Sequence, residues 1–367
     1  MKNRGKIGKF MIFAISKSML IVVLIFVLIM VPTVGLITYN KEKFIKKFFG
    51  NLASFQGVIT LWNVDTFDGG SVSKSYFLEK VASLFEKKNK GVYIKVENLS
   101  IDQMKESLKS GALPDMVSFG TGIGKYFVQD LVAYTANVVK NVLANFCGAG
   151  HYDGKLLAIP FMCGAYTLIS SAEKIQSAGK ELTENLKEIA LDVGYTKKQR
   201  KSEKQIYSLT FGQNEYTGAF DCFSREFDDK SIESLIAENV VDNKCKTQTP
   251  YSAYVNYVMG NANVLLGTQR DVFLMENRVK AGKETDVIYQ PLTKYCDLVQ
   301  FLGICTKVNI KYDICLDFAN YLLSDQVQGL ISDVGMFTVT DKKVYADGIM
   351  KLIEEAITEK MTIRNAF

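Results

Sequence analysis

The chain has 367 residues, 44 basic and 39 acidic, with a formal net charge of +5 and 48% hydrophobic residues. The excess charge lies in the first 39 residues, where Lys2, Arg4, Lys6, Lys9 and Lys17 have no acidic counterpart. The remainder is balanced, so composition gives no case for nucleic-acid binding, which needs a concentrated basic face.

The first element is the run from Met19 to Thr38, twenty residues without a charge. It is long enough to cross a hydrocarbon core of roughly 30 Å as a helix. The basic residues before it place the N-terminus in the cytoplasm and the bulk of the chain outside. A cleaved secretory signal is the competing reading, but no small-x-small cleavage site is evident at 34–40, and no cysteine follows the run for lipid attachment. The expected order is a cytoplasmic basic segment at 1–17, a transmembrane signal-anchor at 18–39 and a juxtamembrane spacer at 40–54. About 310 residues follow Phe55, enough for two lobes with their own cores.

A strand is predicted over Val58–Trp62, followed by the polar turn Asn63 to Gly70. An amphipathic helix with apolar Phe77, Val81 and Phe85 comes next. Val92, Ile94 and Val96 then alternate with polar neighbours as a second strand. Ser100 and Gln103 form a capping-box pattern that opens another helix, stopped at Gly111. A third strand, Asp115–Phe119, ends in Gly120-Thr121-Gly122. This β-turn-α-β-α-β order predicts a parallel sheet unit, whose ligands sit at the carboxyl ends of the strands. The glycines at 120, 122 and 124 fit neither G-x-G-x-x-G nor a P-loop. Farther on, 164–289 reads mostly as helices and loops, with 197–201 (Lys-Lys-Gln-Arg-Lys) as a solvated loop. A strand over Phe301–Thr306, a helix over Tyr312–Leu323 and a last helix over Met350–Glu359 complete the chain.

The seven cysteines have no C-x-x-C spacing, so zinc ribbons and thioredoxin motifs are excluded, and buried free thiols are expected. His151 is the only histidine, in a predicted surface turn, and no Ser-His-Asp triad or ordinary zinc site can be centred elsewhere. No cofactor and no metal are expected.

Several stretches carry a family resemblance. Leu61-Trp62, Phe85-Glu86, Gly91-Val92 and Pro114 to Gly120 resemble, in order and spacing, the extracellular solute-binding proteins of ABC importers, in the maltose-binding-like, sugar-binding branch. The likeness continues at Tyr152 to Phe161, at Gly267 to Asp271 and at Tyr321 to Gln328. It implies an α/β, two-lobed type II periplasmic-binding-protein fold with a hinge, with 55–163 and 297–335 as the first lobe and 164–290 and 338–367 as the second. Crossings are expected after Pro160, over 287–298 and at Gly335-Met336-Phe337. The implied function is capture of a carbohydrate for ABC permease subunits, with no reaction catalysed and transport energy supplied by a separate ATPase. A tethered ligand sensor and a carbohydrate-active enzyme are the alternatives.

Candidate ligand contacts follow from the strand ends. Trp62, the only tryptophan, offers a flat face to a sugar ring. Asp65 offers a carboxylate to paired hydroxyls, and Asp68 does so or serves the turn. Gly70 exposes backbone N–H. Ser118, Phe119 and Gly120 end the third strand. Tyr166 stands at the expected lobe crossing as an aromatic wall. Gln269 and Arg270 follow a predicted second-lobe strand, with Arg270 either a five-donor fork for ligand oxygens or a structural partner of Asp271.

Overall fold

The structure is a computed structural model that describes residues 52–134, 138–181, 185–199, 202–227 and 230–367. The expected cytoplasmic segment, the apolar run at 18–39 and nearly all of the spacer lie outside the described residues. By contacts the chain divides into a small unit, up to Gln56 with Lys87–Val92, and a large one, Gly57–Glu86 with Tyr93–Phe367. The described part of the small unit is a strand start, the last helical turn before Asn89 and the Lys90 to Val92 start of the next strand. The large unit holds nearly all of both sheets.

In chain order the main elements are β1 (Leu52–Val64), α1 (Lys74–Lys88), β2 (Lys90–Asn98), α2 (Ile101–Lys109), β3 (Met116–Gly120), β4 (Ile159–Cys163) and β5 (Tyr166–Ser171). Next come β6 (Tyr195–Gln199), β7 (Ser202–Phe211), α3 (Ala219–Glu226), α4 (Pro250–Val258), β8 (Ala262–Thr268), α5 (Gln269–Lys280) and β9 (Val287–Pro291). The chain ends with β10 (Tyr295–Cys296), β11 (Val299–Ile304), α6 (Asn309–Leu322), α7 (Gly348–Ala356) and β12 (Thr362–Ile363).

Two five-stranded sheets carry the fold. The first has the order β2-β1-β3-β11-β4, with β1 and β3 parallel and β11 antiparallel to both of its neighbours. The predicted β-turn-α-β-α-β unit is its larger half. The α1 helix buries Phe77, Leu78, Val81 and Phe85, the spacing of one helical face. The α2 helix opens on a reciprocal capping box: Ser100 Oγ accepts from the Gln103 amide, and Gln103 Oε1 accepts from the Ser100 amide at 2.8 Å. Phe119 stacks between Phe127 and Phe301 at 6.3 and 6.0 Å, and Phe85 meets Phe318 edge-on, so helices and strands share one apolar layer.

The second sheet has the order β9-β5-β8-β7-β6. It corrects the expectation of mostly helices and loops after Gly164. Within the basic cluster at 197–201, the described residues Lys197, Lys198 and Gln199 are not loop but belong to edge strand β6, antiparallel to β7. Thr196 to Gln199 are all exposed, so the strand lacks the alternation that marks a half-buried one. Lysines on a free edge discourage further strand pairing. The late helices also shift against expectation, to Asn309–Leu322 and Gly348–Ala356.

The chain passes between the sheets at Gly164-Ala165, joining β4 to β5, and over 292–298, which leads from β9 through β10 and Asp297-Leu298 to β11. A third stretch passes Gly335 and bridges Phe337 to Cys163. Gly335 has φ of +68°, and the backbone of Gly70 packs directly on it. The Gly70 and Ser71 amides both donate to the Val334 carbonyl, at 3.0 and 3.1 Å. A Cβ on Gly70 would lie 2.2 Å from the Gly335 oxygen. Gly70→Ala should therefore destabilise the protein by about 1–3 kcal/mol through overpacking against backbone that cannot rotate away. A denaturation midpoint equal to that of the wild type would refute this.

The C-terminal tail is drawn back. β12 pairs in parallel with β10, and the Ala366 carbonyl accepts from the Gly122 and Gly124 amides. All seven cysteines are free thiols, and six of them are buried.

Candidate ligand site

The register puts one edge of each sheet at a shared cavity. In the second sheet Thr268 pairs with Tyr166, and Leu266 with Phe211. The ends of β7 and β8 and the start of β5 therefore lie together. In the first sheet β1 ends at Val64, and the turn Asp65-Thr66-Phe67-Asp68 follows. Between these edges lies a cavity of about 240 Å³. The first sheet contributes all four residues of that turn. The second contributes Gly212, Asn214 and Thr217 after β7, and Leu266, Thr268, Arg270 and Asp271 around the end of β8. Tyr166 and Leu298 line it from the two crossings.

The 65–68 turn is held by an unusual residue. Lys74, in the first turn of α1, has a side chain with no solvent exposure. Its ammonium lies 3.4 Å from Asp65 Oδ1, donates to the Phe67 carbonyl at 2.6 Å and sits 3.3 Å from the centre of the Phe67 ring. Burial lowers its pKa, and Asp65 opposes that shift. One buried cation thus fixes both the carboxylate and the ring that the turn presents to the cavity. Ser73 caps α1 just before it, accepting from the Tyr76 amide.

The opposite wall is built on the start of α5. Thr268 and Asp271 form a capping box, with the Thr268 amide donating to Asp271 Oδ2 at 2.8 Å. Arg270 lies in a fork between carboxylates. Its Nε and Nη2 donate to Asp271 Oδ1 at 3.1 and 2.6 Å, and its Nη1 donates to Asp68 Oδ2 at 2.7 Å. Burial works against the Arg270 charge, but Asp271 and Asp68 outweigh it and hold the pKa raised. Burial likewise raises the Asp271 pKa, against the pull of Arg270.

Of the sequence candidates, Asp65, Tyr166 and Arg270 line the cavity, as does Asp68. The other six are located outside the lining. Trp62 is buried, and its indole N–H donates to Glu97 Oε2 at 3.0 Å. Gly70 packs on Gly335. Ser118 lies in a buried polar chain in which Gln300 donates to Ser118 Oγ and Ser118 donates to Asn63 Oδ1. Phe119 is in the aromatic layer, and Gly120 abuts Thr66 so closely that a Cβ would lie 1.9 Å from its Oγ1. Gln269 is fully buried at the crossing: its Oε1 accepts from the Ala165 amide and its Nε2 donates to the Asp68 carbonyl.

Sequence reasoning passed over Phe67, Asn214 and Thr217, which line the cavity, and Lys74 behind it. Asn214 follows the C-terminal end of β7, so the strand-end rule applied to that strand would have found it. Lys74 leaves no such signal, since a lysine in a polar first turn reads as exposed. Among the described residues no cluster of three or more His, Cys, Asp or Glu could hold a metal ion. His151 lies apart from the cavity, with Nδ1 3.0 Å from the Cys147 carbonyl.

No family model and no curated protein matches the chain. Solved structures do. The chain is similar to the GacH receptor of Streptomyces glaucescens, solved unliganded and with acarbose, at 14% identity over 85% of this chain and 88% of that one, TM-score 0.59. It is similar to an ABC substrate-binding protein of Listeria monocytogenes in complex with cycloalternan, at 14% identity over 85% and 89% of the two chains, TM-score 0.57. It is also similar to thiaminase I from Bacillus thiaminolyticus, at 12% identity over 84% and 94%, TM-score 0.55. The same fold thus serves binding proteins and an enzyme, and the site must decide function. The chain has the two-lobed α/β fold of the periplasmic-binding proteins, shared by its sugar-binding structural neighbours.

Proposed function

We propose that the protein is an extracellular solute-binding protein that captures a carbohydrate and delivers it to ABC permease subunits, without catalysing a reaction. The observation that carries this reading is the cavity itself. Polar groups from both sheets converge on it, with the apolar faces of Phe67 and Tyr166 alongside. Hydroxyl-rich ligands need such paired acceptors and donors beside an apolar face. Two sheets joined by a few crossings form a hinge, and a ligand that touches both favours the closed state by its differential affinity.

The carboxylates argue against turnover. A glycosidase needs one carboxyl held protonated as an acid and a second free to act on sugar or water. Here Asp65 is paired with Lys74 and Asp68 with Arg270. Both oxygens of Asp271 are occupied, one by Arg270 and one by the Thr268 amide. Calorimetry and product analysis on the full chain, in a detergent without a sugar headgroup, test the reading against a panel of saccharides. Stoichiometric binding without turnover is expected. Turnover that is lost on Asp65→Asn would overturn it.

The tether belongs to the same proposal. The uncharged run at 18–39, with five basic residues before it, supports an uncleaved single-pass anchor with lobes outside: 55–163 with 297–335, and 164–290 with 338–367. N-terminal sequencing of protein from native membranes should find the first residues intact. A mature start near residue 40 would refute the anchor.

A further inference from the structure

The turn that forms one wall of the cavity is stitched from both sides. Its three successive backbone carbonyls all accept from side chains. Asn214 Nδ2 donates to Thr66 O at 2.9 Å, Lys74 Nζ to Phe67 O at 2.6 Å, and Gln269 Nε2 to Asp68 O at 3.0 Å. Arg270 adds the bond to the Asp68 carboxylate. Lys74 belongs to the same lobe as the turn, but Asn214, Gln269 and Arg270 come from the other. Thr66 and Gln269 are buried, so parting these bonds would leave buried polar groups unpaired. Asn214 is itself fixed, since its Oδ1 accepts from the amides of Tyr216 and Thr217 at 2.8 Å each.

These stitches bound the space. Thr66, Asp68, Asn214 and Arg270 line the cavity and also bond across it, so the wall is closed where they meet. Its volume of about 240 Å³ falls below the roughly 300–1,000 Å³ of sites for drug-sized ligands. An extended saccharide would have to pass the Asn214–Thr66 and Arg270–Asp68 bonds.

We propose that this is a single-ring site: Asn214, Gln269 and Arg270, stitched to the 65–68 turn, limit the ligand to about one sugar ring and exclude longer oligosaccharides. The proposal rests on the carbohydrate reading above. Within the cavity Asp65, held by Lys74, is the carboxylate that no group of the other lobe engages, and it is the acceptor for the ring's hydroxyls.

Titration calorimetry on the full chain, in a detergent without a sugar headgroup, tests this with hexoses, pentoses and their linear oligomers up to six rings. At least one monosaccharide should bind, and its trisaccharide should bind at least 100-fold more weakly. Asp68→Ala removes one stitch at an exposed side chain. Asn214→Asp removes another while keeping the acceptor for Tyr216 and Thr217. Each should raise trisaccharide affinity relative to monosaccharide by about tenfold. A wild-type protein that binds a trisaccharide or longer chain as tightly as its monosaccharide overturns the size limit and leaves the carbohydrate reading standing. An unchanged ratio in both variants overturns the role of the stitches. Failure of every saccharide to bind overturns both readings.

Discussion

Asp65→Asn should destabilise the protein by about 3 kcal/mol, whereas Lys74→Met, at the other end of the same ion pair, should cost only about 1–2 kcal/mol. The asymmetry follows from burial. The Lys74 side chain has no solvent exposure, while that of Asp65 is 39% exposed. Asp65→Asn leaves an ammonium in the interior without its paired counter-ion, beside the Phe67 carbonyl and ring and with Asp68 still contributing negative charge. Breaking a buried pair in this way costs about 3–5 kcal/mol, and the partial exposure of Asp65 puts the expected value at the lower end. Removing the lysine leaves a carboxylate that water can reach. Methionine fills similar space, and the main loss is the donor to the Phe67 carbonyl, about 1–2 kcal/mol.

The two variants also differ in their pH dependence. Burial already lowers the Lys74 pKa, and the main group opposing the shift, ahead of Asp68, is Asp65. Without it the folded state binds fewer protons than the unfolded chain over a wider range below the ordinary lysine value. Stability then rises with pH across that range. The deficit of Asp65→Asn should therefore shrink between pH 7 and 10, and that of Lys74→Met should not. Chemical denaturation at several pH values measures both. Equal costs for the two variants at pH 7 would mean that the pair is held by solvent and not by burial.

How much of this could be read from the residues depended on what each element buries. The unit from Gly57 to Gly120 was legible because α1 shows a helical stripe and α2 a capping box, both local patterns. Strand β6 was not, because its residues lie exposed on a sheet edge and its lysines read as a solvated loop. At the site the strand-end rule located the 65–68 turn and Arg270, and the expected lobe crossing located Tyr166. Whether a side chain beside a strand end faces the cavity is a matter of pleat and tertiary neighbours. Trp62 lies two residues before the end of β1, and its indole reaches Glu97, close to the end of β2. Lys74 and Gln269 are the hardest cases. Both are buried polar residues: Lys74 packs on Asp65 and Phe67 of the turn just before its helix, and Gln269 bonds Asp68, 201 positions earlier in the chain. Of the Arg270 alternatives, the structure shows the pairing with Asp271 beside it and adds Asp68 across the cavity.

Lowering the pH from 7 to 5 should stabilise the protein through Asp297. This carboxylate sits at the crossing between β10 and β11 with no exposure of its side chain. Tyr166 donates its hydroxyl to Oδ1 and the Gly218 amide donates to Oδ2, both at 2.8 Å, while Arg364 stays 3.9 Å away. Burial raises its pKa from 3.8 to about 6, and the two hydrogen bonds only partly offset it. A raised folded-state value means that the native protein binds more protons than the unfolded chain between pH 3.8 and 6. The resulting stabilisation is fully present below 3.8 and is lost as the pH rises through 6. Each tenfold gain in proton affinity is worth about 1.4 kcal/mol, so the full effect is about 3 kcal/mol, of which about 1 kcal/mol is regained between pH 7 and 5. Asp297→Asn should remove that slope. At pH 7 the variant should be close to wild type, because losing a buried charge offsets losing one good acceptor; at pH 5 it should be the less stable of the two by about 1 kcal/mol. Tyr166 lines the cavity, so the crossing and the ligand wall share this contact, and saccharide affinity should fall in the variant as its hydroxyl loses a charged acceptor. Parallel stability curves for the two proteins from pH 5 to 7.5 would show that Asp297 is not the titrating group.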